Sequence, residues 1–210
     1  MTDDRAPLLF GDIRDTSQYV VTDTNVRYNG PIFDLQTQQI TFPDGSTASR
    51  DVVSHGGAVA VVALDDQQRI TLISQYRPAV AQFLWELPAG LLDKPGEDPV
   101  AAAARELAEE VSLQASTWHT LVDTVSAPGF CDERVRVYFA TGLSAVGDSS
   151  FIRQAEEADL IVRPMPLDEC VAAVYSGAIV NCITIAGILA VERYLRVGGK
   201  LRPADTPWPT

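Results

Sequence analysis

An unbroken apolar run from Gly57 to Leu64, closed by the polar stretch Asp65-Asp66-Gln67-Gln68, predicts a strand buried on both faces. Ile70 to Tyr76 alternates well enough to be its hairpin partner. Upstream, from Tyr19 to about His55, short β-like stretches such as Tyr19-Val20-Val21-Thr22 are punctuated by Asn29-Gly30-Pro31 and Pro43-Asp44-Gly45 turns, which predicts a small antiparallel sheet. The period changes after Gly90. Asp98 is placed to cap a helix, Pro99 suits its first position, and Ala101 to Ala104 are strong helix formers, so the spacing predicts a helix to about Val111. Further strands are expected at Thr117 to Thr124, Val135 to Thr141 and Leu160 to Arg163, with loops at Ser126 to Glu133 and Gly147 to Ala158. Two helices follow, Leu167 to Tyr175 and Ile179 to Arg196, separated by Ser176-Gly177 and ended by Gly198-Gly199. The proline-rich tail from Arg202 reads as mobile. This order predicts an α/β/α sandwich around a mixed sheet, divided as an N-terminal β-sheet segment (1–56), a main domain (57–197) and a tail (198–210).

Composition changes this picture little, but charge narrows the partners. A net charge of -12 in 210 residues, without a cluster of Lys and Arg, excludes a sequence-independent nucleic-acid surface. An acidic protein acting on an anionic substrate needs divalent cations between the two. Cys131, Cys170 and Cys182 are odd in number and far apart, unlike a disulfide framework or a zinc site, and fit a reducing cytoplasm. Acidic Asp3 and Asp4 stand where a secretory leader carries basic residues, and the apolar run around Ile179 to Val191, interrupted by Asn181 and Thr184, is short for a membrane span.

The chemistry is concentrated in Arg105-Glu106-Leu107-Ala108-Glu109-Glu110. On a helix, Glu109 and Glu110 lie three and four positions beyond Glu106 and share its face. At about 5 Å and an effective dielectric near 20, each like-charge pair costs roughly 3 kcal/mol, less when exposed, so helix stability does not recommend the arrangement. A hard divalent cation such as Mg²⁺ or Mn²⁺ turns that repulsion into binding, with Glu106 and Glu110 as platform and Glu109 as third ligand.

Gly90, Glu97 and the seven-residue spacer before Arg105-Glu106 extend the pattern, and the segment from Gly90 to Leu113 resembles the box of the Nudix hydrolases. Two departures stand out: six residues rather than five separate Gly90 from Glu97, and Ser112 replaces a glycine. The resemblance implies that Glu106, Glu109, Glu110 and the carbonyl of Ala89 hold metal, and that Arg105 pairs with Glu97 to fix the loop against the helix.

Outside the box, Gln75-Tyr76-Arg77, Trp85-Glu86-Leu87-Pro88-Ala89-Gly90, Ser126-Ala127-Pro128-Gly129-Phe130-Cys131-Asp132-Glu133 and Arg50-Asp51-Val52-Val53 resemble segments of ADP-ribose pyrophosphatases. By that likeness Arg77 meets a phosphate, Glu86 accepts from an adenine amino group, Glu133 bonds a ribose hydroxyl, Arg50 stacks on adenine, and Gly129 belongs to the substrate loop. The base that activates water is Glu157, or its neighbour Glu156, with Glu109 as a further candidate. Expected is Mg²⁺-dependent, in-line hydrolysis of a nucleoside-diphosphate compound, ADP-ribose first, by a homodimer joined through the N-terminal sheet. A GDP-mannose hydrolase and a non-hydrolytic nucleotide sensor are the alternatives, and the intact Glu106, Glu109 and Glu110 speak against the sensor.

Overall fold

The computed structural model describes residues 16–147 and 160–208. Its chain divides into two compact units between Ser54 and His55. In the first unit β1 (Val20–Asn29), β2 (Phe33–Thr41) and β3 (Thr47–His55) form a sheet in that order. β1 and β2 pair antiparallel, with register shifts between Val21 and Asp23 and between Val26 and Tyr28. The turn into β3 is fixed by Asp44, whose carboxylate accepts from the Ser46 amide at 2.9 Å, and by Gly45 at a φ of 82°.

The second unit runs β4 (Ala58–Ala63), β5 (Arg69–Arg77), β6 (Gln82–Glu86), β7 (Ala89–Leu91), α1 (Pro99–Val111), β8 (Leu113–Val125), β9 (Arg134–Ala145), β10 (Ile161–Pro166), α2 (Leu167–Ser176), α3 (Cys182–Val197) and β11 (Arg202–Pro203). A mixed five-stranded sheet has the order β11-β8-β9-β4-β7, with β4 and β9 parallel; β10-β5-β6 is a separate antiparallel sheet. Every residue of β4 is buried because helices cover both faces of its sheet. Val59, Val61 and Ala63 pack with Ala102, Ala103 and Leu107 of α1. Ala58, Ala60 and Val62 pack instead with Ile188 and Val191 of α3. The expected α/β/α sandwich is thereby realised, with each β4 residue assigned to one core by the two-residue strand period.

Several elements differ from expectation. Among the described residues β4 and β5 share no strand ladder, only the Leu64–Ile70 bridge just past β4, because β9 and β7 already occupy both edges of β4 and β5 must pair elsewhere. β10 continues through Pro164 and Pro166, which an edge strand tolerates. α3 begins at Cys182 rather than Ile179, since the Asn181 side chain accepts from the Thr184 amide at 3.0 Å and caps the helix there. The tail read as mobile is pinned through residue 208. β11 pairs with β8, and Arg136, only 1% exposed, donates to the carbonyls of Thr206 (2.5 Å) and Pro207 (2.8 Å). A buried guanidinium needs acceptors for its N–H groups, and the tail supplies two of them. Asp123 supplies others at 2.7 and 3.3 Å, Arg202 joins Asp123 at 2.5 Å, and the Trp208 ring lies 5.1 Å from the Arg136 guanidinium.

Candidate active site

Helix α1 carries both core and chemistry because of its own spacing. Asp98 caps it, accepting from the Val100 amide at 2.9 Å, and Pro99 opens it. Ala102, Ala103, Leu107 and Val111 form the face packed on the sheet, and Glu110 falls on the same buried side at 5% exposure. Its carboxylate accepts from the Ala89 amide at 2.9 Å and so ties the start of β7 to the helix. One turn earlier, the Glu106 carboxyl lies over Gly90, where any Cβ would overlap it. Glycine is required at residue 90 for this close approach rather than for its dihedral freedom.

Arg105 is the hub of the carboxylate cluster. Its guanidinium binds both oxygens of Glu97, at 3.1 and 3.0 Å, and reaches Glu106 at 2.5 Å and Glu109 at 3.1 Å. These bonds, those to Glu97 foremost, raise the Arg105 pKa well above its ordinary range, and the same contact holds Glu97 below the usual carboxylate range. The extra residue between Gly90 and Glu97 does not disturb the pair. A turn closed by the Glu97 amide on the Lys94 carbonyl (3.0 Å), with Pro95 second and Gly96 third at a φ of 77°, has the form of a type II turn and absorbs it. Ser112 occupies the helix C-cap at φ 55° and ψ 36°, the left-handed region where glycine is at ease.

The donors Glu106, Glu109, Glu110 and the Ala89 carbonyl are all hard oxygens, which fit a divalent cation of the Mg²⁺ type. In the arrangement seen, Arg105 engages Glu106 and Glu109 while Glu110 holds the Ala89 amide, and among the described residues no three acidic, His or Cys side chains converge as a ready-made metal site. Binding a cation there requires Glu106 and Glu109 to turn from Arg105 toward it.

The remaining predicted positions fall into three groups. On β5 and β6, Arg77 forms a two-pronged ion pair with Glu86 at 3.0 and 2.6 Å, and Glu86 is 3% exposed. Glu86, expected to meet a base, has Arg77 as its partner. Gly129 lies in the loop between β8 and β9, whose turn is closed by the Phe130 and Cys131 amides on the Ala127 carbonyl. The same loop ends at Glu133, which accepts from the Ser126 hydroxyl at 2.5 Å and stands 3.9 Å from His55 Nε2. Arg50 lies on β3 in the N-terminal unit, its guanidinium donating to the Ser49 carbonyl at 2.8 Å. Glu156 and Glu157 lie outside the described residues.

Sequence reasoning assigned no role to His55, whose local context carries no motif, or to Ser126, which figured only as the first residue of the segment ending at Glu133. His55 accepts at Nδ1 from the Gly57 amide two residues on (3.0 Å), and Asp132, 77 positions away, accepts from its backbone amide at 2.7 Å, so a local and a sequence-distant bond together place it beside Glu133.

A sandwich whose helix α1 lays Arg105, Glu106, Glu109 and Glu110 beside Gly90 of β7 is the scaffold of a pyrophosphohydrolase, and a family model described as the NUDIX domain matches residues 54–175. The chain belongs to the Nudix family, whose enzymes act with divalent metal ions. It is 51% identical to the ADP-ribose pyrophosphatase of Mycobacterium tuberculosis (strain ATCC 25618 / H37Rv) over 181 residues, 86% of each chain. It is 32% identical to the ADP-ribose pyrophosphatase of Bacillus subtilis (strain 168), over 77% of this chain and 85% of that one. The methanol dehydrogenase activator of Bacillus methanolicus is 34% identical over the same shares. A crystal structure of an ADP compounds hydrolase shares the fold, with a TM-score of 0.73 at 19% identity over 89% of this chain and 99% of that one.

Proposed function

We propose that this chain hydrolyses the pyrophosphate of ADP-ribose to AMP and ribose 5-phosphate with Mg²⁺. The observation that carries the reading is the 51% identity to an ADP-ribose pyrophosphatase across 86% of both chains, joined to an intact Arg105-Glu106-x-x-Glu109-Glu110 cluster. Glu106, Glu109, Glu110 and the Ala89 carbonyl hold the cation. Mg²⁺, when bound, supplies charge neutralisation at the pyrophosphate and orientation of the attacking water. Arg105 stays anchored through Glu97 and keeps the loop after β7 against α1.

Arg77, its guanidinium fixed by Glu86, presents a directed cation to the diphosphate; the ion pair positions it without rotamer search. Glu133, oriented by Ser126, accepts from a ribose hydroxyl, with Gly129 leaving the loop backbone open to the substrate. Arg50 stacks on the adenine, and Glu157, with Glu156 beside it, takes the proton from water. Tyr19, Val20, Val26, Tyr28, Ile32 and Phe33 expose apolar surface on the N-terminal unit, which supports a homodimer joined through that sheet. Three free thiols support residence in the cytoplasm, and among the described residues no helix is long and apolar enough to cross a membrane.

The test is product analysis after mixing pure protein with ADP-ribose and Mg²⁺, with GDP-mannose and a chelator in parallel. AMP that appears from ADP-ribose and vanishes with the chelator is the expected result. No cleavage of ADP-ribose, or preferential cleavage of GDP-mannose, overturns the assignment.

A further inference from the structure

Between β6 and β7 the chain leaves one sheet for the other, and at this crossing the Leu87 amide meets no strand. Leu87 is 1% exposed, so an unpartnered N–H there would be costly. Its acceptor is the hydroxyl of Thr184, at 3.0 Å, on the first turn of α3 and 97 positions away. Thr184 is itself 1% exposed. One turn further along α3, Gly187 lets the helix press onto the same residue: a Cβ there would meet Leu87 Cδ1 at 2.7 Å and Val62 Cγ2 at 2.9 Å. Helix α3 therefore grips Leu87 by a hydroxyl and by a missing side chain at once.

What Leu87 joins gives this grip its consequence. The residue before it, Glu86, holds Arg77. Pro88 has no N–H, and its carbonyl accepts from the Val61 amide at 2.9 Å. Ala89 follows, tied to Glu110, and then Gly90, covered by Glu106. The phosphate-side arginine and the metal-side carbonyl thus sit on either side of one amide whose direction is set by Thr184.

The geometry points to Thr184 as a positioning residue for hydrolysis: its hydroxyl sets the Leu87 peptide, so that Ala89 is held with its amide on Glu110, Gly90 lies under Glu106, and Glu86 aims Arg77. This rests on the function proposed above, in which those groups hold the cation and the diphosphate. Thr184 touches neither, and it acts through the backbone between them.

The experiment compares wild type with Thr184→Val, which keeps shape and removes the acceptor, Thr184→Ser, which restores it, and Val191→Ala, which loosens α3 two turns further on. Each is measured for Mn²⁺ affinity by electron paramagnetic resonance without substrate, and for kcat and KM on ADP-ribose, below all melting temperatures. Thr184→Val is expected to weaken Mn²⁺ binding and lower kcat by about tenfold each, with KM changed less than threefold, the scale seen when support behind a metal site is removed. Thr184→Ser returns both to near wild type, and Val191→Ala leaves both unchanged despite a lower Tm. Wild-type Mn²⁺ affinity and kcat in Thr184→Val overturn the inference, as does the same loss in Val191→Ala. Should Thr184→Val not fold, Thr184→Cys offers a weaker acceptor of similar volume and carries the same comparison, with about threefold losses expected and wild-type values counting against the idea. A wild type that binds Mn²⁺ but leaves ADP-ribose intact refutes the proposed reaction instead, and the Mn²⁺ affinities still decide the role of Thr184.

Discussion

Replacing Arg136 by Met tests whether the C-terminal strap is an integral part of the second unit. Met keeps much of the apolar stem and removes every donor. Four bonds are lost: two to Asp123 and one each to the carbonyls of Thr206 and Pro207. Breaking a buried pair by removing one partner costs about 3–5 kcal/mol. Arg202 remains bound to Asp123, and the carbonyls regain water once the strap lifts, so a value near the lower end, about 3 kcal/mol, is expected. At roughly 2–4 °C per kcal/mol for a chain of this length, Tm falls by about 6–12 °C. The strap should also open locally, which trypsin reads as faster cleavage after Lys200. Arg202→Ala is the control: its partner contact is half-exposed and is worth about 1 kcal/mol or less. An Arg136→Met protein within 1 kcal/mol of wild type, with no faster cleavage after Lys200, refutes the reasoning.

The same cluster predicts a pH dependence. Burial pushes the Asp123 carboxyl up, but hydrogen bonds from Arg136 and Arg202 outweigh it and hold the group below its ordinary value. The unfolded chain then binds the proton more readily, so the cluster's contribution is complete above the ordinary carboxylate pKa and is lost as pH falls through the lower folded value; denaturation curves should show a slope in that acid window that Asp123→Asn removes. Ser112→Gly relieves a side chain from the left-handed region, about 1–2 kcal/mol, against roughly 0.5–1 kcal/mol of added chain entropy, and should raise stability by about 0.5–1 kcal/mol in urea titration, a loss of stability being the contrary result. Burial pushes the Cys170 thiol up to about 11, with Glu169 adding to it, so iodoacetamide at pH 8 should label exposed Cys182 well before Cys170, and equal rates would contradict that burial. Glu157→Gln should lower kcat about a hundredfold with KM little changed if this residue takes the proton from water, whereas a rise in KM alone would reassign it to binding.

What could be read from the chain follows the range of the interactions. α1 is written in adjacent residues, since Asp98, Pro99 and the alanines act within a few positions of one another, and its bounds came out as expected. The Arg105–Glu97 pair was legible only through the resemblance to the Nudix box, since eight positions and a turn with an extra residue separate the two. The diversion of β5 away from β4 was not, because it depends on β7 and β9 filling both edges of β4, and no local pattern records edge occupancy. Nothing local to Arg136 marks it as a buried hub; its acceptors come from Asp123 on the neighbouring strand and from the strap at residues 206–207. Thr184 interrupted an apolar run and carried no hint of Leu87, 97 positions earlier. Glu86 shows a further limit: its residue type suits a nucleobase as well as an arginine, and pairing across two strands decides between them.

The division of β4 between two cores bears on how such a chain accumulates change. Val59, Val61 and Ala63 answer to α1 and its carboxylates, while Ala58, Ala60 and Val62 answer to α3, and the two residue sets share no member. Substitutions in separate packing neighbourhoods tend to combine additively. Lineages can therefore drift at α3-side packing positions away from the Leu87 crossing, such as Val191, without renegotiating the α1 half that carries the ionic cluster. A single six-residue strand acts here as a partition wall, and it lets one half of the molecule remain chemically conservative while the other explores.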